Sequence, residues 1–187
     1  MQQEGAKVIA VSDSGGGVHN PNGIDIPSAI AHKQERGTLQ GLGGVEPISN
    51  EELLLLDCDI LAPCGLEQVL TEENADKVKA KMVCEGANGP TTPAADEILE
   101  DKGILVLPDV LANAGGVVVS YFEWVQGLQE YFWKEDEVNA KLKGIVDKAF
   151  GETWHVHTSR DVSMRLAAYG LGVQRVAEAT TTRGLYP

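Results

Sequence analysis

The amino-acid sequence predicts an α/β fold in which a mostly parallel sheet is flanked by helices. Two observations lead to this prediction. Short apolar runs alternate with segments that carry helix-capping residues, and each run ends in residues that favour turns. In addition, a strand, a helix and a second strand follow one another within residues 81–107, which is the spacing of a right-handed βαβ crossover between parallel strands.

The first segment is predicted to contain one buried strand followed by loops. The apolar run 7–12 predicts the strand, which ends at Asp13. Residues 15–23 combine glycines with Asn and Pro, so we expect a turn-rich loop. The glycines of 41–44 suggest a phosphate-binding GxGxxG motif, but Glu46 stands at the third glycine position and no strand precedes it. We therefore expect a loop there as well.

Two helices are predicted in the same part of the chain. Pro27 is suited to the first turn of a helix, and Gly37 is suited to its C-terminal end. Ser49 and Glu52 have the spacing of a capping box, so a short helix is expected to start there and to continue through the leucines that follow.

Three further strands are predicted by the apolar runs at 59–63, 81–84 and 104–107. Between the last two, Thr92 and Pro93 are suited to the N-cap and the first position of a helix that ends near the next glycine. The face of this helix that we expect to be buried comprises Ala95, Ile98 and Leu99, and the exposed face comprises Asp96, Glu97 and Glu100.

Beyond the last strand the apolar residues recur at helical spacing. Helices are predicted over about 116–133, 135–155 and 159–182. The chain 1–187 is therefore expected to form an α/β core over 1–115 and a helical C-terminal segment over 116–187.

Composition argues against several classes of function. The chain has 187 residues and a hydrophobic fraction of 43%, so we expect one domain, with a second small unit as the alternative. Its net charge of -13 argues against binding nucleic acid or an anionic membrane. No apolar run approaches the length of a membrane span. The three cysteines form no CxxC pair and the histidines lack a metal-ligand spacing, so we expect no metal site and a cytoplasmic protein.

Two similar asparagine-containing motifs, Glu-Gly-Ala-Asn-Gly-Pro at 85–90 and Ala-Asn-Ala-Gly-Gly at 112–116, follow successive strands. Ligands of open α/β sheets bind beyond the carboxyl ends of the strands. An asparagine offers both a donor and an acceptor, which suits the carboxamide and ribose of a nicotinamide dinucleotide. We therefore expect Asn88 and Asn113 to contact one such cofactor. For either asparagine alone, the alternative is a turn residue.

Other polar or small residues at strand ends are further candidates. Asp13 is placed to accept the hydroxyls of an adenosine ribose, with Ser14 beside it; the alternative is a loop-capping aspartate. Cys64 and Gly65 are small enough for a dinucleotide to lie against the backbone, and a tight turn is the alternative. Ser120 is placed to bind a substrate carboxylate at a helix N-terminus, unless its hydroxyl bonds back to a helical carbonyl.

These motifs resemble the glutamate dehydrogenase family, the Glu/Leu/Phe/Val dehydrogenases, over nearly the whole chain. The resemblance implies a Rossmann-like NAD(P)-binding domain and the oxidative deamination of L-glutamate to 2-oxoglutarate and ammonia. NAD is the expected cofactor and NADP stays open. The resemblance also implies a homo-oligomer. The matching segments are 11–15, 58–63, 81–96, 108–124 and 164–184.

The resemblance also implies a role for each matched position. Along the chain, the first matched positions would bind the adenosine ribose and the next would line the path of the cofactor. Those after them would bind its nicotinamide half. Two residues of the following helix would touch the substrate. The implied cofactor-binding residues are Asp13, Ser14, Cys64, Gly65, Ala87, Asn88 and Asn113, and the implied substrate-binding residues are Val117 and Ser120.

The chain also departs from the family pattern. The catalytic lysine and aspartate belong to an N-terminal domain that has no counterpart here, and the first βα unit with its glycine loop is missing. We therefore expect the C-terminal, dinucleotide-binding portion of the enzyme, with an incomplete sheet and no activity of its own. The alternatives are a related leucine- or phenylalanine-type dehydrogenase and a non-catalytic assembly module.

Overall fold

The structure, a computed structural model, describes residues 1–184. The chain divides into two compact units. The first comprises Met1–Cys58 with Lys77–Ala80, and the second comprises Asp59–Asp76 with the described residues from Lys81 onward.

The first unit is built on an antiparallel sheet in the order β1-β2-β3. Strand β1 spans Ala10–Asp13, β2 spans Gly16–His19 and β3 spans Glu46–Ile48. The predicted first strand therefore starts later than expected and is half-buried at the sheet edge. The expectation of a mostly parallel sheet fails for this unit, since both of its ladders are antiparallel.

Strand β2 lies within the segment 15–23 that was expected to be a loop. Its glycines reflect close packing as well as turning. A Cβ atom at Gly17 would stand 3.0 Å from Cγ1 of Ile48, so a larger residue there would require the Ile48 side chain of β3 to move. Gly16 has a φ of 123°, which helps the chain to reverse between β1 and β2. Gly16 and Gly17, which predicted a turn, thus belong to a strand.

Both predicted helices of the first unit are confirmed. Helix α1 spans Ile26–Arg36, with Asp25 capping its start and Gly37 ending it at a φ of 74°. Helix α2 spans Asn50–Leu54 and starts with the predicted capping box. The buried core of this unit comprises Val18, Ile24, Ala29 and Leu39. The glycine-rich run 41–44 lies in loop and turn structure, as predicted.

The second unit contains a parallel sheet in the order β4-β5-β6. Strand β4 spans Ile60–Leu61, β5 spans Met82–Cys84 and β6 spans Leu105–Leu107. Helix α3, Pro93–Asp101, connects β5 to β6 and is capped by the hydroxyl of Thr92. The predicted βαβ crossover is therefore confirmed.

Helix α3 differs from the prediction at one residue on each face. Ala95 and Leu99 are fully buried, as expected, whereas Ile98 is only half-buried. Asp96 was expected to be exposed, but only 18% of its side chain is accessible and it pairs with Arg165. The partner lies 69 positions away in the sequence, so the helical pattern around Asp96 gave no sign of the pair.

Four helices follow the sheet: α4 at Asp109–Ala112, α5 at Gly115–Gln129, α6 at Glu135–Arg160 and α7 at Met164–Arg183. The boundary between the last two falls later than predicted, because Asp161 ends α6 in a left-handed conformation and Ser163 caps α7. The last three residues of the predicted segment 116–187 lie outside the described residues. None of the helices described is both long and apolar enough to cross a membrane.

Candidate functional site

A cleft of about 780 Å³ lies beyond the carboxyl ends of the parallel strands in the second unit. Its wall combines the segments that follow β4, β5 and β6. Seven of the nine predicted site residues line it, which places them where ligands of parallel sheets bind. The lining residues are Cys64, Gly65, Leu66, Glu67, Gly86, Ala87, Asn88, Asn113, Gly116, Val117 and Ser120.

The two predicted asparagines are directly hydrogen-bonded in this cleft. Nδ2 of Asn113 donates to Oδ1 of Asn88 at 2.7 Å and also lies 3.4 Å from the carbonyl oxygen of Gly86. Within residues 1–184, neither Nδ2 of Asn88 nor Oδ1 of Asn113 has a hydrogen-bond partner. The pair therefore retains one amide donor and one carbonyl acceptor for a ligand.

The loops after β4 and β5 are held together at close range. The backbone nitrogens of Gly86 and Ala87 both donate to the carbonyl oxygen of Pro63, at 3.0 and 2.9 Å. A Cβ atom at Gly86 would stand 2.5 Å from Sγ of Cys64. Position 86 therefore requires glycine because of the approaching thiol, a constraint that the sequence motif did not reveal.

Val117 and Ser120 lie in the first turns of α5 and both line the cleft. The side chain of Val117 is largely exposed. The hydroxyl of Ser120 donates to the carbonyl oxygen of Gly116 at 3.1 Å. This is the bond to a helical carbonyl that was the alternative to substrate binding. The oxygen of that hydroxyl can still accept a second hydrogen bond.

Two cysteines near the cleft differ in environment. Cys64 is exposed and lines the cleft, whereas Cys84 at the end of β5 is half-buried. Burial raises the pKa of the Cys84 thiol, and the neighbouring Cys64 and Glu85 act in the same direction. Cys84 is therefore kept in its neutral form.

Sequence reasoning missed a cluster of charged side chains beneath the asparagine loops. Arg165 of α7 forms ion pairs with the fully buried Glu85 and with Asp96, and its guanidinium also lies 3.7 Å from Asp109. Burial alone would lower the pKa of Arg165, but the hydrogen bonds and charges of Asp96 and Glu85 raise it above its ordinary value. The sequence held one indication of this cluster. Glu85 directly follows an apolar strand, and a carboxylate that is buried there requires a charged partner.

Asp13 and Ser14 belong to the first unit, whereas the cleft is lined by residues of the second unit alone. The carboxylate of Asp13 accepts from the backbone nitrogens of Gly15 at 2.7 Å and Leu39 at 3.2 Å, and it forms an ion pair with Lys33. The hydrogen bond from Lys33, with that from Gly15, lowers the pKa of Asp13. These local bonds are those that the loop-capping alternative requires.

Comparison with known proteins identifies the relatives of this chain. Residues 1–184 match the family model described as Glutamate/Leucine/Phenylalanine/Valine dehydrogenase. The chain is 55% identical over 186 residues to a glutamate dehydrogenase of Thermotoga maritima, covering 100% of this chain and 45% of the relative. It is 51% identical over 180 residues to an NAD-specific glutamate dehydrogenase of Staphylococcus aureus, covering 96% and 43%. The chain thus spans less than half the length of these relatives.

Solved structures show the same relationship. The hetero-hexameric glutamate dehydrogenase of Thermus thermophilus, in a Leu-bound form, superposes with a TM-score of 0.91 at 33% identity. That match covers 100% of this chain and 44% of the other. The glutamate dehydrogenase of Peptoniphilus asaccharolyticus superposes with a TM-score of 0.81 at 35% identity, covering 99% and 43%.

Proposed function

This chain belongs to the glutamate/leucine/phenylalanine/valine dehydrogenase family, and on that premise we propose that it is the C-terminal, dinucleotide-binding portion of a glutamate dehydrogenase. The complete enzyme would convert L-glutamate to 2-oxoglutarate and ammonia with NAD. The names of the Thermotoga maritima and Staphylococcus aureus relatives support this substrate and cofactor. Because the catalytic lysine and aspartate of the family are expected outside residues 1–187, we propose that the chain alone is inactive.

The hydrogen-bonded pair of Asn88 and Asn113 is the observation that carries the proposal. A carboxamide has one carbonyl acceptor and one amide donor. The pair presents the complementary groups, namely the amide nitrogen of Asn88 and the carbonyl oxygen of Asn113. We propose that these two groups bind the nicotinamide carboxamide and its ribose, with Ala87 lining the same part of the cleft.

The shape of the cleft supports the same assignment. Cβ atoms at Gly65 and Gly116 would meet nothing within 4 Å, so both glycines leave open space along the cleft. We propose that Cys64 and Gly65 line the path of the dinucleotide, because small residues allow it to lie against the backbone. Bound there, the nicotinamide ring would accept hydride from the amino-acid substrate.

We propose that Asp13 and Ser14 bind the adenosine ribose of a nicotinamide dinucleotide. An aspartate carboxylate has about four lone-pair positions. Gly15, Lys33 and Leu39 already occupy three of them. Asp13 would therefore accept one ribose hydroxyl rather than both, with Ser14 available for the second. A carboxylate held in its anionic form disfavours a 2′-phosphate, which supports NAD, whereas the adjacent Lys33 leaves NADP as the alternative.

The substrate is proposed to contact Val117 and Ser120 at the start of α5. Their position beside the asparagine pair would bring the amino acid next to the nicotinamide ring. The amide groups of the asparagines would then orient the cofactor, while Ser120 would offer a hydrogen bond to the substrate.

We propose in addition that the protein is a cytoplasmic homo-oligomer. The exposed apolar side chains Tyr121, Trp124 and Leu128 of α5 support a subunit contact, since such patches mark interaction surfaces. The Thermus thermophilus relative is a hetero-hexamer. The described cysteines form no disulfide, which supports a reducing compartment.

Titration of the ¹⁵N-labelled chain with NAD, followed by NMR, tests cofactor binding. We expect the side-chain amide signals of Asn88 and Asn113 to shift, while the exposed Asn139 of α6 stays unchanged. Absence of any NAD-dependent shift in the cleft would contradict the proposal and favour an assembly module. Joining the chain to a matching N-terminal half and comparing turnover of glutamate, leucine and phenylalanine tests the substrate.

A further inference from the structure

The charged cluster around Arg165 connects elements that are far apart in the sequence. Its guanidinium is bidentate towards Glu85, with Nη1 and Nη2 donating at 3.0 and 2.7 Å. Nε and Nη2 also donate to the two carboxylate oxygens of Asp96, at 2.8 and 3.1 Å. One cation therefore serves three carboxylates, of which Glu85 is completely buried and Asp109 is 17% exposed.

Two of these carboxylates hold the backbone on either side of Asn88. Glu85 lies three positions before it, and Oε2 of Glu85 accepts from the backbone nitrogen of Asp109 at 2.8 Å. Gly89 directly follows Asn88, and its backbone nitrogen donates to Oδ2 of Asp109 at 2.8 Å. The loop that carries Asn88 is thus tied at both ends to Asp109.

The same aspartate begins the segment that leads to Asn113. Asp109 is the first residue of α4, and its carbonyl oxygen accepts from the backbone nitrogen of Asn113 at 3.0 Å. The distance between Asn88 and Asn113 is therefore set through Glu85 and Asp109. Without a cation, these two carboxylates and Asp96 would repel one another in a partly buried site.

We propose that Arg165 is a positioning residue that fixes the geometry of the asparagine pair and thereby controls cofactor affinity. The inference rests on the proposed function for the identity of the ligand. Arg165 does not line the cleft, so it acts through Glu85 and Asp109. The planar guanidinium is required because it forms two bidentate pairs at once, which a lysine ammonium does not reproduce.

The variant Arg165→Lys keeps the charge and removes the bidentate geometry. We expect the dissociation constant for NAD, measured by NMR titration of the 187-residue chain, to rise about tenfold or more. In the protein without NAD, the side-chain amide signal of Asn113 should move and hydrogen exchange at Gly89 should quicken. The matched control is Arg175→Lys on the same helix, whose exposed ion pair with Glu152 lies outside the cleft; all three measurements should stay unchanged.

A role in stability alone would give a different result. If Arg165→Lys lowers the melting temperature but binds NAD within twofold of the unaltered chain, with unchanged Asn113 and Gly89 signals, the inference is wrong. If that variant does not fold, Asp96→Asn provides the test, because Asp96 contacts Arg165 and lies outside both asparagine loops. It should weaken NAD binding in the same direction by a smaller factor, and unchanged binding would overturn the inference.

The experiments distinguish a failure of the proposed function from a failure of the positioning role of Arg165. If the unaltered chain shows no NAD-dependent shift, the proposed function fails. The positioning role is then decided by the Asn113 and Gly89 signals of the NAD-free variants, which require no ligand.

Discussion

Nδ2 of Asn113 donates a hydrogen bond of 2.7 Å to Oδ1 of Asn88, a residue 25 positions earlier in the chain. The two residues meet because the neighbouring parallel strands β5 and β6 end at the same edge of the sheet. Asn113 uses its amide nitrogen and Asn88 its carbonyl oxygen in this bond. The pair therefore offers a ligand one donor and one acceptor at a fixed spacing.

Replacement of either asparagine should weaken NAD binding. We expect Asn88→Ala and Asn113→Ala each to cost about 1–2 kcal/mol, or about five- to thirtyfold in the dissociation constant, because each removes a ligand contact and frees the remaining amide. The double variant should lose less than the sum of the two, since the residues are coupled. Titration of the four proteins with NAD measures this cycle.

Asn139→Ala on the exposed face of α6 is the control for that cycle and should bind NAD normally. Strictly additive losses would show that the hydrogen bond between the two amides does not contribute to binding.

Gly86→Ala should destabilise the second unit. The added methyl group would stand 2.5 Å from Sγ of Cys64, so either the thiol or the loops after β4 and β5 must move. We expect a loss of about 1–3 kcal/mol in the free energy of unfolding, measured by urea denaturation. The double variant Gly86→Ala/Cys64→Ala should recover most of this loss, because the nearest remaining atom of residue 64 is 3.3 Å away.

Gly144→Ala is the matched control for that series. Position 144 lies inside α6 with nothing within 4 Å of an added Cβ, so the substitution should stabilise the chain by about 0.5–1 kcal/mol. If Cys64→Ala gives no recovery, the approach of the thiol is not what requires glycine at position 86.

Because of Asp13, the stability of the folded chain should decrease at acidic pH. Its pKa in the folded chain lies below the ordinary value of 3.8, chiefly because Lys33 donates a hydrogen bond to it. The contribution of Asp13 to the free energy of unfolding is therefore fully present above the unfolded-state pKa. It is lost as the pH falls from about 4 through the folded-state pKa. Urea denaturation between pH 6 and pH 3 should show a smaller decline for Asp13→Asn than for the unaltered chain. Parallel curves would contradict the ion pair.

Cys64 should react with iodoacetamide faster than Cys84 at pH 8. Cys64 is exposed in the cleft, whereas Cys84 is half-buried and burial raises the pKa of its thiol. Saturating NAD should slow the reaction of Cys64, because we place the cofactor against this residue. Peptide mass spectrometry after timed quenching measures both rates. Equal rates at Cys64 with and without NAD would place the dinucleotide elsewhere.

Much of the local structure followed from the sequence because its determinants lie within a few residues of one another. Ser49 and Glu52 satisfy each other's backbone nitrogens across three positions. At the start of α3 the hydroxyl of Thr92 accepts from the backbone nitrogen of Ala95, also three positions on. The asparagine motifs were likewise recognisable, since each follows a short apolar strand. By contrast, β2 was missed because its glycines have the composition of a turn, whereas the packing of Gly17 against Ile48 is visible only in the tertiary structure.

The sequence by itself determined where α1, α2, α3, α5 and α6 begin, where the parallel strands lie and which residues follow their ends, because capping and hydrophobic periodicity act over a single turn or strand. Only the tertiary structure decided that the two asparagines hydrogen-bond and that Gly86 lies against Cys64. It also decided that Asp96, expected at the surface, shares Arg165 with Glu85. The partners of Arg165 lie 69 and 80 positions away, and no local pattern encodes which carboxylates a partly buried cation will meet.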